Sequence, residues 1–230
     1  MAPSSPKAAH TRQKLVNASA KLFAIHGYEK TTLRSIAAES GMSLGSAYYY
    51  FESKEQLAGE LYRATREAHR NLAWPRLLVG NTLEGNIRAV MDTALDALEP
   101  FQGFGPAFLR AAFSGGAGPE AADADVAAVN RAKEFGLWRQ AVTTARPQPP
   151  LAIRNDLPEL LWLVQRGILL FWAYDASPGR ERTRRLVRNA APLLARLSVL
   201  SRLPVVRAIL DDVIGLVRSA ADGDRTPYRR

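Results

Sequence analysis

The sequence contains no cysteine, which excludes disulfide frameworks, thiolate nucleophiles, iron–sulfur clusters and cysteine-based zinc sites. Histidine is nearly as scarce. His10, His26 and His69 lie far apart and none has ligand spacing, so neither a metal site nor a cofactor is expected. Catalytic signatures are missing too: there is no Gly-x-Ser-x-Gly, no P-loop and no dinucleotide fingerprint. Isolated carboxylates such as Asp92, Asp96 and Asp125 fit solvent-facing helix positions, so enzyme chemistry finds no support. Long apolar runs are lacking as well. The most apolar stretch, Leu157 to Trp172, is interrupted by Pro158, Glu159, Gln165 and Arg166, which suits a buried or interface helix and not a membrane span. Residues 1–9 lack the apolar segment of a secretory leader, so a cytoplasmic location without a membrane partner is expected. No segment alternates with period two, and no repeat of 20–50 residues is visible.

What is present is helical periodicity and positive charge. The 230 residues are 47% apolar and 23% charged, enough to bury a core. The net charge of +9 suits an anionic partner such as nucleic acid. It divides as +3 over residues 1–58 and +6 over the remainder, so the total does not locate a binding face. Leu15, Ala18, Leu22 and Ile25 form one stripe of a first helix, which Gly27 is placed to stop. Leu33, Ile36 and Ala37 begin a short second helix, broken at Gly41. A third short piece runs from about Ser43 to Tyr50. A fourth starts at Ser53, where Ser53 and Gln56 have capping-box spacing, and runs to Trp74-Pro75. Further helices are expected over 83–98, 121–145, 156–175 (with Asp156 as N-cap), 181–203 (kinked at Pro192) and from Pro204 to about Ala220. The fold class is all-α: a three-helix unit in front of a larger helical bundle. The divisions are a tail over 1–9, a front unit over 10–56, a bundle over 57–221 and a frayed end over 222–230.

The informative stretch is Thr31 to Leu57, which is helix, glycine turn, helix. Thr32 can cap the first of these helices and Ser43 the second. Gly41 supplies the positive φ that a three- to four-residue turn between crossed helices needs. Leu33, Ile36, Ala37, Met42 and Ala47 would pack between them. A second helix presented this way can enter a DNA major groove with its N-terminal residues at base edges. The outward positions Ser43, Leu44, Gly45 and Ser46 are mostly small or hydroxylated and permit close approach. The phenols of Tyr48 and Tyr49 can reach phosphates while their rings pack. Lys54, in the first turn of the next helix, can pair with another phosphate beside that helix's N-terminal amides. Three adjacent tyrosines cannot all face inward on one helix, which argues against a buried hairpin.

Gly41 through Glu55 fits the pattern Gly-x-Ser-x-Gly-Ser-x-Tyr-Tyr-x-Phe-x-Ser-Lys-Glu, and these residues resemble the TetR family of one-component bacterial regulators. The resemblance covers about 50 residues, from Arg12 to the start of the helix at Ser53. It implies a homodimer whose N-terminal helix-turn-helix binds a palindromic double-stranded DNA operator, and whose variable C-terminal bundle binds a small molecule and dimerises. It further implies that Thr32, Ser43, Gly45, Ser46, Tyr48, Tyr49 and Lys54 face DNA, while Ile36 and Phe51 hold the helices together. Tyr50 stands where many members have histidine, and Ala47 where many have leucine. The expected function is a ligand-responsive, sequence-specific repressor released by an apolar or aromatic effector.

The rest of the chain offers candidates without a motif. Phe101, Phe104, Phe108, Phe135, Trp138 and Trp162 could line an effector cavity or simply fill the core, with Gly103, Gly105 and Gly136 leaving space. Arg110 and Arg166 interrupt apolar runs; each is either a partnered buried cation or an anchor for an anionic ligand. The basic run from Arg180 to Arg188 reads as a solvated face or a salt-bridged dimer seam in preference to a second nucleic-acid surface. A helical carrier with no DNA activity is the competing reading.

Overall fold

A computed structural model describes residues 6–106 and 124–222, among which there are helices and turns but no strand. Phe108, Arg110, the glycine-rich stretch 115–118 and the extreme ends therefore lie outside the described residues.

The front unit is α1 (Pro6–His26), α2 (Leu33–Glu39) and α3 (Leu44–Tyr50). Helix α1 begins at Pro6, so part of the expected tail is helical. Leu15, Ala18 and Leu22 are buried as their spacing predicts, but Ile25 is 62% exposed and Phe23 is fully buried. The 3.6-residue period explains this: the buried face centres on Leu15, Ser19 and Phe23 and leaves Ile25 at its rim. The Gly27 amide, at φ 78°, donates to the Phe23 carbonyl (3.0 Å) and ends the helix. Thr32 caps α2 reciprocally with Ser35. The Ser35 amide donates to Thr32 Oγ1 (3.1 Å), and the Thr32 amide donates to Ser35 Oγ (3.0 Å). Gly41, at φ 71°, makes the turn, and Ser43 caps α3 by accepting from the Ser46 amide (3.1 Å). Ile36, Ala37, Ala47 and Phe51 close the core between the helices.

Helix α4 (Lys54–Ala73) leaves this unit and enters the second one unbroken, so the expected division at 56/57 falls inside a helix. Ser53 accepts from the Gln56 amide (3.3 Å), but the reach back differs from the expected box: Gln56 Oε1 accepts from the Glu52 amide (2.9 Å). A 3₁₀ turn at Trp74–Arg76 ends the helix at the expected proline. There follow α5 (Leu83–Leu98), a 3₁₀ segment (Glu99–Phe104), α6 (Ala124–Thr144), the single turn α7 (Leu151–Arg154), α8 (Leu157–Tyr174), α9 (Glu181–Leu200) and α10 (Pro204–Asp222). Asp156 does not cap α8 with its side chain. The chain arrives from α7 already in helical conformation (φ −93°, ψ −22°), not in the extended conformation of an N-cap.

Helix α5 is the hub of the second unit, packing on α4, α6 and α9. Its buried Asn86 ties it to α6, donating to the Ala141 carbonyl (2.7 Å) and to Thr144 Oγ1 (3.0 Å). The turn before α9 is organised by buried Asp175, whose two oxygens accept from the amide and hydroxyl of Ser177 and of Thr183 at 2.7–2.9 Å. Burial alone would raise this carboxyl's pKa, but the four donated hydrogen bonds hold it well below the ordinary carboxylate range. Arg184 pairs with Asp96 (3.1 Å) and Glu99 (3.9 Å) near the surface, and Arg188 pairs with Glu181 (2.5 Å). Part of the basic run thus serves contacts within one chain.

The two units meet at the Glu99–Phe104 segment, which packs on the C-terminal end of α1. Phe104 is buried there with its ring centroid 5.1 Å from Phe23 and 5.5 Å from Phe101. A Cβ on Gly105 would stand 2.7 Å from the Ala173 carbonyl oxygen. This glycine therefore lets two backbones touch, and the expectation that it leaves space for a cavity does not hold. Among the described residues no helix is long and apolar enough to cross a membrane.

Candidate nucleic-acid interface and ligand cavity

Most of the residues expected to read DNA are exposed. Thr32, Ser43, Gly45, Ser46, Tyr48 and Tyr49 are exposed, and Leu44 is partly so. Tyr48 and Tyr49 are 54% and 82% exposed, whereas Ala47 and Phe51 on the opposite face are sealed. The alternation follows from the helix period: 47 and 51 share a face, and 48 and 49 turn away from it. Tyr50 lies between, packed on the core, with its ring edge-on to that of Tyr49 (5.1 Å). The hydroxyls of Ser43 and Ser46 are 2.8 Å apart, so the cap also orients Ser46.

Lys54 is placed differently from the expectation of a side chain pointing simply at a phosphate. Its ammonium donates to the carbonyls of Tyr28 (3.0 Å), Thr31 (3.4 Å) and Glu29 (3.5 Å) and lies 4.3 Å from the centroid of the Tyr28 ring. It thereby ties the α1–α2 loop to α4. Tyr28 closes the arrangement by donating its hydroxyl to Glu55 (2.8 Å), a bond that lowers the Glu55 pKa against the upward pull of burial. A second anchor is ionic: Glu60 receives both Arg12 and Arg63, joining α1 to α4, and the Arg12 guanidinium also covers the Phe51 ring (4.7 Å).

The second site is a cavity of about 90 Å³ between α4, α5, α6 and α8. Of the expected lining residues, Trp162 and Arg166 are there. Phe135 packs against Trp162 with the rings tilted (centroids 5.3 Å apart), and Trp138 is fully buried, donating its indole N–H to Gln165, a lining residue (2.9 Å). Phe101 and Phe104 are elsewhere, at the junction with α1, because that joint needs large apolar side chains. Sequence reading missed the contribution of α4: Tyr62, Arg66 and His69 line the cavity. The signal was available, since these polar residues recur at i, i+4 and i+7 within an amphipathic helix. His69 Nε2 faces the Val90 carbonyl (2.9 Å), which requires it to donate and fixes α4 to α5. Arg166 donates to the Tyr62 hydroxyl (2.8 Å), joining α8 to α4 across 104 residues of sequence.

Comparison with known proteins covers both units of the chain. A family model described as bacterial regulatory proteins, tetR family, matches residues 15–61. A second, described as tetracyclin repressor-like, C-terminal domain, matches residues 86–216. Similar sequences include the HTH-type transcriptional repressor KstR2 of Mycolicibacterium smegmatis, 36% identical over 104 residues, which covers 45% of this chain and 44% of that protein. The probable acrEF/envCD operon repressor of Escherichia coli K12 is 41% identical over 56 residues, covering 24% and 26%. The chain thus aligns with less than half the length of these relatives. Among solved structures, the TetR transcriptional regulator from Nitrosomonas europaea ATCC 19718 superposes with a TM-score of 0.55 at 17% identity, covering 81% of this chain and 98% of that one; this likeness concerns the fold.

Proposed function

Since this chain belongs to the TetR family, we propose that it is a sequence-specific DNA-binding repressor that acts as a homodimer and leaves its operator when a small molecule enters the α4–α8 cavity. The observation that carries this reading is the projection of α3, whose hydroxyl-bearing face is exposed while Ala47 and Phe51 lock its back to the core. Ser43, Gly45 and Ser46 approach base edges. The Tyr48 and Tyr49 phenols, the Thr32 hydroxyl and the N-terminal amides of α4 meet phosphates.

Dimerisation falls to α8 and α9. Leu163, Leu170 and Tyr174 on α8, and Leu186, Leu193 and Leu197 on α9, are exposed at helical spacing in a single chain. Covering these seams with a second copy would place two α3 helices side by side, and a palindromic operator with half-sites about 34–36 Å apart follows from that symmetry. Helix α4 couples the sites, because it starts against the DNA-facing unit and lines the cavity farther along. A ligand that fits one setting of α4 better than another shifts the spacing of the pair; such couplings amount to about 1–3 kcal/mol. The reading places the protein in the cytoplasm with its operator.

The test is selection of bound fragments from genomic DNA, followed by fluorescence anisotropy on the best fragment. Saturable, sequence-selective binding that weakens steeply with salt is the expected result. Binding that is equally strong on scrambled fragments, or absent, would favour the carrier reading instead.

A further inference from the structure

Arg180 breaks two local rules at once. Its backbone is left-handed (φ 56°, ψ 38°), and among the described residues it is the only one other than glycine with a positive φ. An L side chain is disfavoured there, and glycine or asparagine would fit more easily. Arg180 also puts a cation at the N-terminus of α9, the positive end of the helix dipole. Such a residue persists only where its surroundings hold it. The turn that carries it is fixed by Asp175, which accepts hydrogen bonds from Ser177 before it and Thr183 after it. The side chain supplies the compensation: its guanidinium donates to the Gln102 carbonyl and lies 5.7 Å from the centroid of the buried Trp172 ring.

Gln102 belongs to the joint between the units. The segment Glu99–Phe104 rests on the last turn of α1: Phe104 packs on Phe23, and a Cβ on Gly103 would stand 3.4 Å from the Ala24 carbonyl oxygen. Next to it, Gly105 brings its backbone against that of Ala173 near the end of α8. One short stretch thus touches the DNA-facing unit, the end of α8 and, through Arg180, the start of α9. Building on the reading of α8 and α9 as the dimer seam, we infer that Arg180 is a positioning residue that sets the operator half-site spacing the dimer accepts. It holds the joint to the helices that the second copy covers, and so fixes each reading head relative to the other. Ala47 and Phe51 lock α3 into the same core as α1, so a shift of α1 against the joint carries α3 with it. Helix α4 is the other tie between the units. A head held at both ties has one orientation, whereas a head held at α4 alone can swing. The operator senses the difference, because one base pair added between half-sites moves them about 3.4 Å apart and turns one about 35° relative to the other.

The test uses the full chain and the selected DNA fragment reduced to its palindrome, with derivatives in which one or two base pairs are inserted or deleted at the centre. In fluorescence anisotropy the wild type is expected to lose about tenfold or more in affinity on mis-spaced sites. Arg180→Gly permits the left-handed turn and removes the guanidinium. Arg180→Asn also suits that backbone, lacks the added freedom of glycine and is too short to reach Gln102. Relief of the left-handed strain offsets the lost contacts, so both variants should keep or raise the wild-type urea midpoint, with helical circular dichroism intact. Their affinity should weaken several-fold at the native spacing and flatten to within about threefold across the series. Discrimination equal to wild type in both variants overturns the inference. So does loss of discrimination in the glycine variant alone, which assigns the effect to backbone freedom, and so does loss accompanied in both by a lower urea midpoint, which makes the role merely structural. Sedimentation velocity with and without DNA tells this failure from failure of the dimer reading. A wild-type monomer indifferent to spacing removes that reading and the inference with it, whereas a spacing-selective wild-type dimer with unaltered variants removes the inference alone.

Discussion

The DNA-facing unit and the cavity-bearing bundle solve the problem of placing functional groups in opposite ways. In the front unit, each functional side chain is set by its neighbours in sequence. Ser43 caps its own helix, Gly41 makes the adjoining turn, and Tyr48 and Tyr49 point outward because Ala47 and Phe51 point inward. The cavity gathers its groups from α4, α5, α6 and α8, and the bond from Arg166 to Tyr62 spans 104 residues. Local placement yields a rigid surface that survives changes elsewhere. Placement by packing yields a site whose shape depends on how the helices sit, which is what a responsive element needs.

That contrast can be broken at several points. The largest effect is expected at the joint between the units. Phe104→Ala removes a buried ring and should cost about 3–5 kcal/mol in urea unfolding; a loss under about 1 kcal/mol would mean that the joint contributes little to holding the units together. Next is Asp175→Asn, which turns a fourfold acceptor into a group that must present an amide to donors, at a cost of about 2–3 kcal/mol at neutral pH. The carboxyl titrates below its ordinary value of 3.8. Its contribution is therefore complete above that value and is lost as pH falls through the lower, folded-state value. The gap between wild type and variant should accordingly narrow in unfolding measured toward pH 3. A constant gap from pH 7 to pH 3 would assign the effect to shape and not to charge.

Lys54→Met sharpens the comparison at the boundary. Loss of its three carbonyl contacts should destabilise the front unit by about 1–2 kcal/mol. If the ammonium also meets a phosphate, the slope of log affinity against log salt should fall by about 0.9. An unchanged stability would refute the stitching role, and an unchanged slope the phosphate role. The smallest stability effect is expected for Tyr49→Phe, within about 0.5 kcal/mol, because the phenol is almost wholly exposed. Its cost should appear instead as weaker binding to the selected DNA fragment, and a stability loss above 1 kcal/mol would show that Tyr49 is structural.

Much of the front unit was legible in the residues themselves: the caps at Thr32 and Ser43, the positive-φ Gly41, the exposed face of α3. The misplacements there have local causes as well. Ile25 fell at the rim of a stripe read one turn too far, and Gln56 reached the Glu52 amide one residue before the expected partner. The bundle was legible as a succession of helices but not as a site. Phe104 and Gly105 carry no mark that separates a joint from a cavity wall, since an aromatic or a glycine has the same periodicity in either role. The spacing of Tyr62, Arg66 and His69 marks one face of α4, but it does not say which helix will lie opposite that face.

The amino-acid order alone therefore determined the helices, their ends and the outward face of α3. These depend on hydrogen bonds and side-chain periodicity within a turn or two, where chain connectivity already brings the partners together. Only the tertiary structure decided that Lys54 bonds to the α1–α2 loop, that Phe104 fills the joint, and that four cations surround one apolar cavity. Those contacts exist because distant helices must bury their apolar faces against each other, and the register they adopt follows from how all the side chains pack at once.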